Sequence, residues 1–334
     1  MAVRMRDIAR MAGVDVSTVS RALGGDPAIS PATREKVLGI AAAHGYRRRA
    51  SRSRSIAYII DRRFFLLTSH FYNRVMEGVE AEVKSRGYAF QFQTLEPDQE
   101  GLDPAEVQRL AGVVVTSTFN DGPIRELIRA GLPLVLLDHY IPTEDVSCVL
   151  VDNTDGIIRG VRHLASLGHR RVAYVAGDLR EIGSGDRLVG FQKAVRAYGL
   201  DPAPGLVREC DFTIQGAYGA VKELLDSGRP PTAVAAVNDI AAIGAMEAIK
   251  ERGLRIPQDV SILGFDDIDL ASQVVPRLST MHVARRTMGR LAAQRLFRLI
   301  EGTRDEFTKV LVPPALTVRE STGPAPGPDG GESR

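Results

Sequence analysis

From Ile56 onward the chain repeats one unit, a short apolar run followed by an amphipathic stretch of helical period. "IAYII" is followed by "YNRVMEGVEAEVKSRG", "YAFQFQ" by "PAEVQRLA" and "GVVVT" by "PIRELIRAG", and "LPLVLLD" closes the series. A second series opens with the helix "TDGIIRGVRHLASLG". It continues through "RVAYVAG", "RLVGFQKAVRAYG", a strand near Leu206, "GAYGAVKELLDSG", "AVAAVN", "IAAIGAMEAIKERG" and "VSILGFD". Apolar strands separated by helices are buried as parallel sheets covered on both faces, built by right-handed crossovers. Two series predict two doubly wound α/β lobes, with a ligand crevice outside the carboxyl ends of the strands.

Residues 1–46 have a different texture, with no strand pattern and three short helical stretches punctuated by Gly and Pro. "MRDIARMAG" places Ile8, Ala9, Met11 and Ala12 for one helix that Gly13 ends. Asp15 is then positioned as N-cap of "VSTVSRAL", where Val16, Val19 and Leu23 share a face. A third helix begins at Ser30 with Pro31 in its first position and stops at Gly45. This is the pattern of an all-α helix-turn-helix head.

The charge is distributed unevenly. Residues 1–55 hold eleven Lys or Arg against four Asp or Glu, a surplus of +7, so within a total of +2 the remainder carries −5. A basic head before a mildly acidic body is expected where one end meets a polyanion. No apolar run is long enough to span a bilayer, and the first residues carry no cleavable leader pattern. This predicts a cytoplasmic protein with no membrane partner. Cys148 and Cys210 show no metal or redox spacing and read as two reduced thiols. The tail 323–334, "GPAPGPDGGESR", predicts disorder from its Pro, Gly and polar content.

Together, "MRDIARMAGVDVSTVSRALGG", "ISPATREKVLGIAAAHGY", "VDNTDGIIRGVRHLASLGHRRVAYVAG", "AVNDIAAIGAMEAIKERGLRIPQDVSILGFDD" and "VPPALTVREST" resemble the lactose-repressor/galactose-repressor family of bacterial transcription regulators over nearly the whole chain. The resemblance implies a homodimer whose heads bind a palindromic double-stranded DNA operator. It also implies a core, similar to periplasmic sugar-binding proteins, that closes on a small effector, with a carbohydrate favoured and a nucleobase or sugar phosphate left open. The organisation it suggests is a head at 1–46, a linker at 47–55 and a core at 56–322. Within that core the N-lobe takes about 56–150 plus 283–302, and the C-lobe about 151–282 plus 303–322.

By position in the motif, Val16, Ser17 and Arg21 match the family's base-reading residues. An arginine there can address guanine in bidentate fashion and a valine can meet a thymine methyl, although Val16 could equally pack in the head's core. Thr18, Ser20, Thr33 and Arg34 are expected at phosphate or sugar. Family members carry a longer, leucine-containing linker that forms a hinge helix, whereas here Tyr46 to Ile56 is short and arginine-rich. Arg47, Arg48, Arg49 and Arg52 therefore suit either a plain tether or an arm contacting phosphates or a narrow minor groove. For the effector, Arg187, Asn238 and Asp266 match the family's polar ligand residues. Asp138 and the "SHFY" group face the same cleft by alignment, supplying Ser69, Phe71 and Tyr72. Asp239 and Asp267 read as turn or helix-cap carboxylates.

Two other classes fit less well. A sugar-processing enzyme would need a nucleophile or paired carboxylates, and "GSGD" makes neither a nucleophile elbow nor a phosphate loop. His163 and His169 lie six apart, not at the four-residue spacing of a helical metal pair. No cofactor or metal is expected. A solute-binding protein would account for the lobes but not the head.

Overall fold

A computed structural model describes residues 5–24, 26, 28–44, 54–96, 99, 101–116, 120–302 and 307–327. In the head, α1 (Met5–Ala12), α2 (Val16–Leu23) and α3 (Pro31–Ala43) pack around Ile8, Ala12, Val19, Ala22, Val37 and Ala41. Gly13, at φ 68°, makes the turn between α1 and α2. Ser30 caps α3 by accepting from Thr33 N–H at 3.2 Å. Asp15 occupies the N-cap position of α2 with an extended backbone but makes no capping bond through its side chain. Arg47, Arg48, Arg49 and Arg52, and with them the tether-or-arm question, lie outside the described residues.

The body contains two six-stranded sheets. The first has the order β2-β1-β3-β4-β5-β11, from Ala89–Leu95, Ser55–Asp61, Gly112–Thr116, Leu134–Leu137, Cys148–Val151 and Lys309–Val312, all parallel. The second runs β7-β6-β8-β9-β10-β12, from Val207–Glu209, Val172–Ala176, Ala233–Ala236, Ser261–Asp266, Ser279–His282 and Ala315–Thr317. Only its edge strand β12 is antiparallel. The central strands are buried on both faces, which is why they read as continuous apolar runs instead of alternating ones.

The chain passes between the lobes three times. It leaves the first sheet after β5 and returns after β10 as α11 (Arg285–Ile300), which packs on α4 (Arg62–Ser85). It then crosses again between β11 and β12. The α4–α11 crossing is a backbone contact: a Cβ on Gly289 would lie 2.0 Å from the Val75 carbonyl oxygen, and one on Gly78 would lie 2.1 Å from that of Arg286.

Three expectations need correction. β11 completes the first sheet, so the segment 309–312 belongs to the N-lobe and not the C-lobe. α4 starts at Arg62, ten residues before the expected "YNRV" start, and bends at Thr68, whose φ/ψ of −129°/24° are not helical. The first part of the tail is ordered. Gly323 donates its N–H to Ser261 and accepts from His169, while Ala325 N–H meets the Leu167 carbonyl at 2.8 Å. Buried His169 also bonds Thr232 and Ser261 and is a structural residue. Among the described residues no helix is long and apolar enough to cross a membrane.

Candidate functional site

Two surfaces carry the candidate residues. On the head, α2 turns Val19 and Ala22 inward and leaves Val16 45% exposed at its N-terminal end, with Ser17 also exposed. Packing in the head's core therefore does not account for Val16. Arg21 is exposed and its Nε donates to Asp26 Oδ2 at 2.8 Å, a bond that holds the Asp26 carboxyl below its usual range. Thr18 and Ser20 are half-buried on the same helix. Thr33 takes part in the α3 cap through both N–H and hydroxyl, and Arg34 donates to the Asp26 carbonyl at 2.5 Å. Both residues brace the turn between α2 and α3, which fixes the angle at which α2 is presented.

The second surface is the interlobe cleft, where strand ends from the two sheets face each other. Asp138 follows β4, Asn238 follows β8 and Asp266 ends β9, while Arg187 enters from α8 (Ile182–Ala197). Phe71 and Tyr72 reach the same cavity from α4. Four non-glycine residues have positive φ among the described residues, and three of them border this cavity: Asp138 (53°), Phe212 (63°) and Asp266 (110°). Sparsely populated backbone conformations concentrate where side chains must be aimed at a ligand.

Arg187 organises the cleft. Its Nε donates to Asn153 Oδ1 at 2.7 Å, Nη1 to the Val237 carbonyl at 2.5 Å and Nη2 to Asp266 Oδ1 at 3.4 Å. Its guanidinium stacks 3.9 Å from the centre of the Phe265 ring. Opposite, the Tyr72 hydroxyl donates to Asp138 Oδ2 at 2.9 Å. Asn238 caps α10 (Asp239–Glu251) by accepting from Ala241 N–H at 2.8 Å.

The electrostatics follow from burial and charge spacing. Burial pushes the Asp266 carboxyl up to about 7, with Arg187 and Arg285 acting against the rise. Burial also raises Asp138, opposed by Arg187 and by the Tyr72 hydroxyl. Arg187 itself is disfavoured by burial, yet Asp266, Glu181 and Asp138 around it more than compensate and hold it protonated. The arrangement can accept hydrogen bonds from ligand hydroxyls, donate through the guanidinium and stack a ring against aromatic faces.

Six of the seven expected effector residues, Phe71, Tyr72, Asp138, Arg187, Asn238 and Asp266, border one cavity of about 40 Å³. Ser69 does not. The bend at Thr68 brings Thr68 and Phe64 to the cavity instead. Glu181 and Phe212 were also missed. Glu181 could have been found as an acid placed to cap a helix after a strand, since it accepts from Gly183 N–H at 2.8 Å and from Ser184 N–H at 2.5 Å. Phe212, in a loop after β7, had no signal of that kind.

Asp239 is wholly buried behind the cleft and accepts from Thr280 Oγ1 at 2.5 Å and Ile268 N–H at 2.8 Å. Asp267 sits in a turn at φ 56° and pairs with His282 and Arg319. A larger groove, about 320 Å³, lies where the head meets the N-lobe beside Leu23, Leu38, Leu102 and Val107. It lacks the converging buried charges of the cleft.

Comparison with known proteins covers both the head and the body. Residues 4–49 match the model for bacterial regulatory proteins of the lacI family, and residues 161–322 match the periplasmic binding protein-like domain. The HTH-type transcriptional regulator CelR of Thermobifida fusca is 31% identical over 331 residues, covering 94% of this chain and 96% of CelR. A solved complex of the transcriptional regulator CelR with cellobiose superposes with a TM-score of 0.72 at 30% identity, covering 96% of this chain and 99% of that one. A lac repressor dimer bound to operator and the anti-inducer ONPF gives 0.71 at 26% identity, covering 97% and 100%. With a helix-turn-helix head whose second helix is exposed and a body that carries a charged interlobe cleft, the chain belongs to the LacI family of bacterial regulatory proteins and is a DNA-binding transcriptional regulator, not an enzyme.

Proposed function

We propose that two copies of this chain place two heads on a pseudo-palindromic operator and repress transcription there, and that a small hydroxylated effector of carbohydrate type in the interlobe cleft controls the hold. The observation that carries the reading is the convergence of Arg187, Asp266, Asp138 and Asn238 on one cavity between lobes that the chain connects three times. A ligand touching both sheets has different contacts in open and closed arrangements, and only such a difference can shift their populations. The cavity of about 40 Å³ is far below the several hundred Å³ usual for a small-molecule site, so the effector enters a more open arrangement. By reciprocity, operator binding changes effector affinity by the same factor.

On the DNA side, Val16, Ser17 and Arg21 read base edges, while Thr18, Ser20, Thr33 and Arg34 position the head. Arg47, Arg48, Arg49 and Arg52 add phosphate or minor-groove contacts from the segment before the first strand. Selection from random duplex DNA by the purified full-length protein tests the reading. Enrichment of one palindrome, with discrimination between it and a scrambled duplex lost in Arg21→Ala, is the expected result. Undiminished discrimination by that variant would remove Arg21 from base reading.

A further inference from the structure

Carboxylates outnumber cations in the interlobe cavity. Asp138, Glu181 and Asp266 border it, and Arg187 is the only cationic side chain among the described residues that does. The groups packed behind them do not restore balance. Arg285 acts on Asp266 but is committed to the carbonyls of His70 and Asp267, at 3.0 and 2.7 Å. His139 acts on Asp138 while its ring bonds Asp121 at 2.9 Å. Asp239 adds another buried carboxyl behind Asp266. The N-terminus of α8 offsets about half a charge at Glu181 through the Gly183 and Ser184 amides.

A neutral sugar would meet this surplus with hydroxyl dipoles alone and seal it away from water at a cost in free energy. The apolar walls point the same way. Phe64, Phe71, Tyr72 and Phe212 border the same cavity, and aromatic faces attract an ammonium group. Among the described residues no group of three or more His, Cys, Asp or Glu is arranged to hold a metal ion.

We propose that the effector is a hydroxylated organic cation, an amino sugar or related amino polyol, whose ammonium group lies among Asp138, Glu181 and Asp266 with its hydroxyls toward Arg187 and Asn238. This rests on the cleft being the effector site and names the ligand class that the cleft selects. Each of the three carboxyls holds its proton to higher pH than usual, and a bound cation favours their ionised forms. Below the pH at which the ligand's own ammonium group titrates, binding of the amine therefore releases protons and tightens as pH rises from 5 to 6, whereas a neutral sugar has no such charge to reward ionisation.

The test is isothermal titration of the full-length protein with glucosamine, galactosamine, mannosamine and 1-deoxynojirimycin against glucose, galactose and mannose, at pH 5, 5.5 and 6, where the amines are ammonium ions. Two buffers of different ionisation enthalpy count the protons. The expected result is a preference of about tenfold or more for one amine over its neutral parent, with proton release. Glu181→Gln, which keeps an oxygen for the α8 cap, is expected to reduce that preference about tenfold. Asp138→Asn serves the same end should Glu181→Gln fail to fold. A neutral parent binding as tightly as its amine would overturn the proposal and leave the cleft reading standing. No binding of either set to a protein that still selects its operator would overturn both.

Discussion

Asp266→Asn isolates the electrostatic cost of the cleft. The Asp266 carboxyl is pushed up from 3.8 to about 7 by burial, despite Arg187 and Arg285. Between those two values the folded chain keeps a proton that the unfolded chain has lost, so folded molecules bind more protons and stability falls as pH rises across the window. A shift of about three units corresponds to about 4 kcal/mol lost between pH 4 and pH 8, a large share of the 5–15 kcal/mol typical of folded proteins. Asparagine removes the titration while keeping an oxygen for Arg187 Nη2, and it tolerates the positive φ of 110° at this position better than most residues. The assay is urea unfolding at pH 5, 6, 7 and 8. It is followed by far-UV circular dichroism because the chain has no tryptophan. The variant is expected to gain stability relative to the parent progressively from pH 5 to 8. Parallel pH profiles for the two proteins would refute both the buried ionisation and the sign assigned to it.

Gly289→Ala places a methyl group 2.0 Å from the Val75 carbonyl and forces α11 off α4, with an expected loss of about 1–3 kcal/mol read as a lower melting temperature. An unchanged melting temperature would mean that the two helices separate freely. Arg187→Met removes the guanidinium that joins Asn153, Val237 and Asp266, so effector response should disappear while operator recognition by the head persists. A normal dose response would take Arg187 out of the effector site. Breaking this buried ion pair should also cost about 3–5 kcal/mol in the melting of the body.

The sequence alone determined the architecture, because local pattern suffices for it. Alternating apolar runs and amphipathic helices dictate two doubly wound sheets, and Gly13, Ser30 and Pro31 punctuate the head at the positions where its helices turn or start. Six cleft residues were legible through the family resemblance: Arg187, Asn238 and Asp266 by match to its polar ligand residues, and Asp138, Phe71 and Tyr72 by alignment with the cleft, although the last two lie inside α4 and not at its start. What only the tertiary structure decided depends on contacts between distant segments. β11 joins the N-lobe because it pairs with Cys148–Val151, a partner far away in the chain. Residues 323–325 are ordered by bonds to Leu167, His169 and Ser261, which composition cannot reveal. The bend at Thr68 exchanges Ser69 for Thr68 and Phe64 at the cavity. Glu181 becomes a cleft carboxylate only once the lobes bring it within electrostatic reach of Asp138. The charge surplus of the cavity is a sum over segments that meet only in the folded chain, so no local reading of residues contains it.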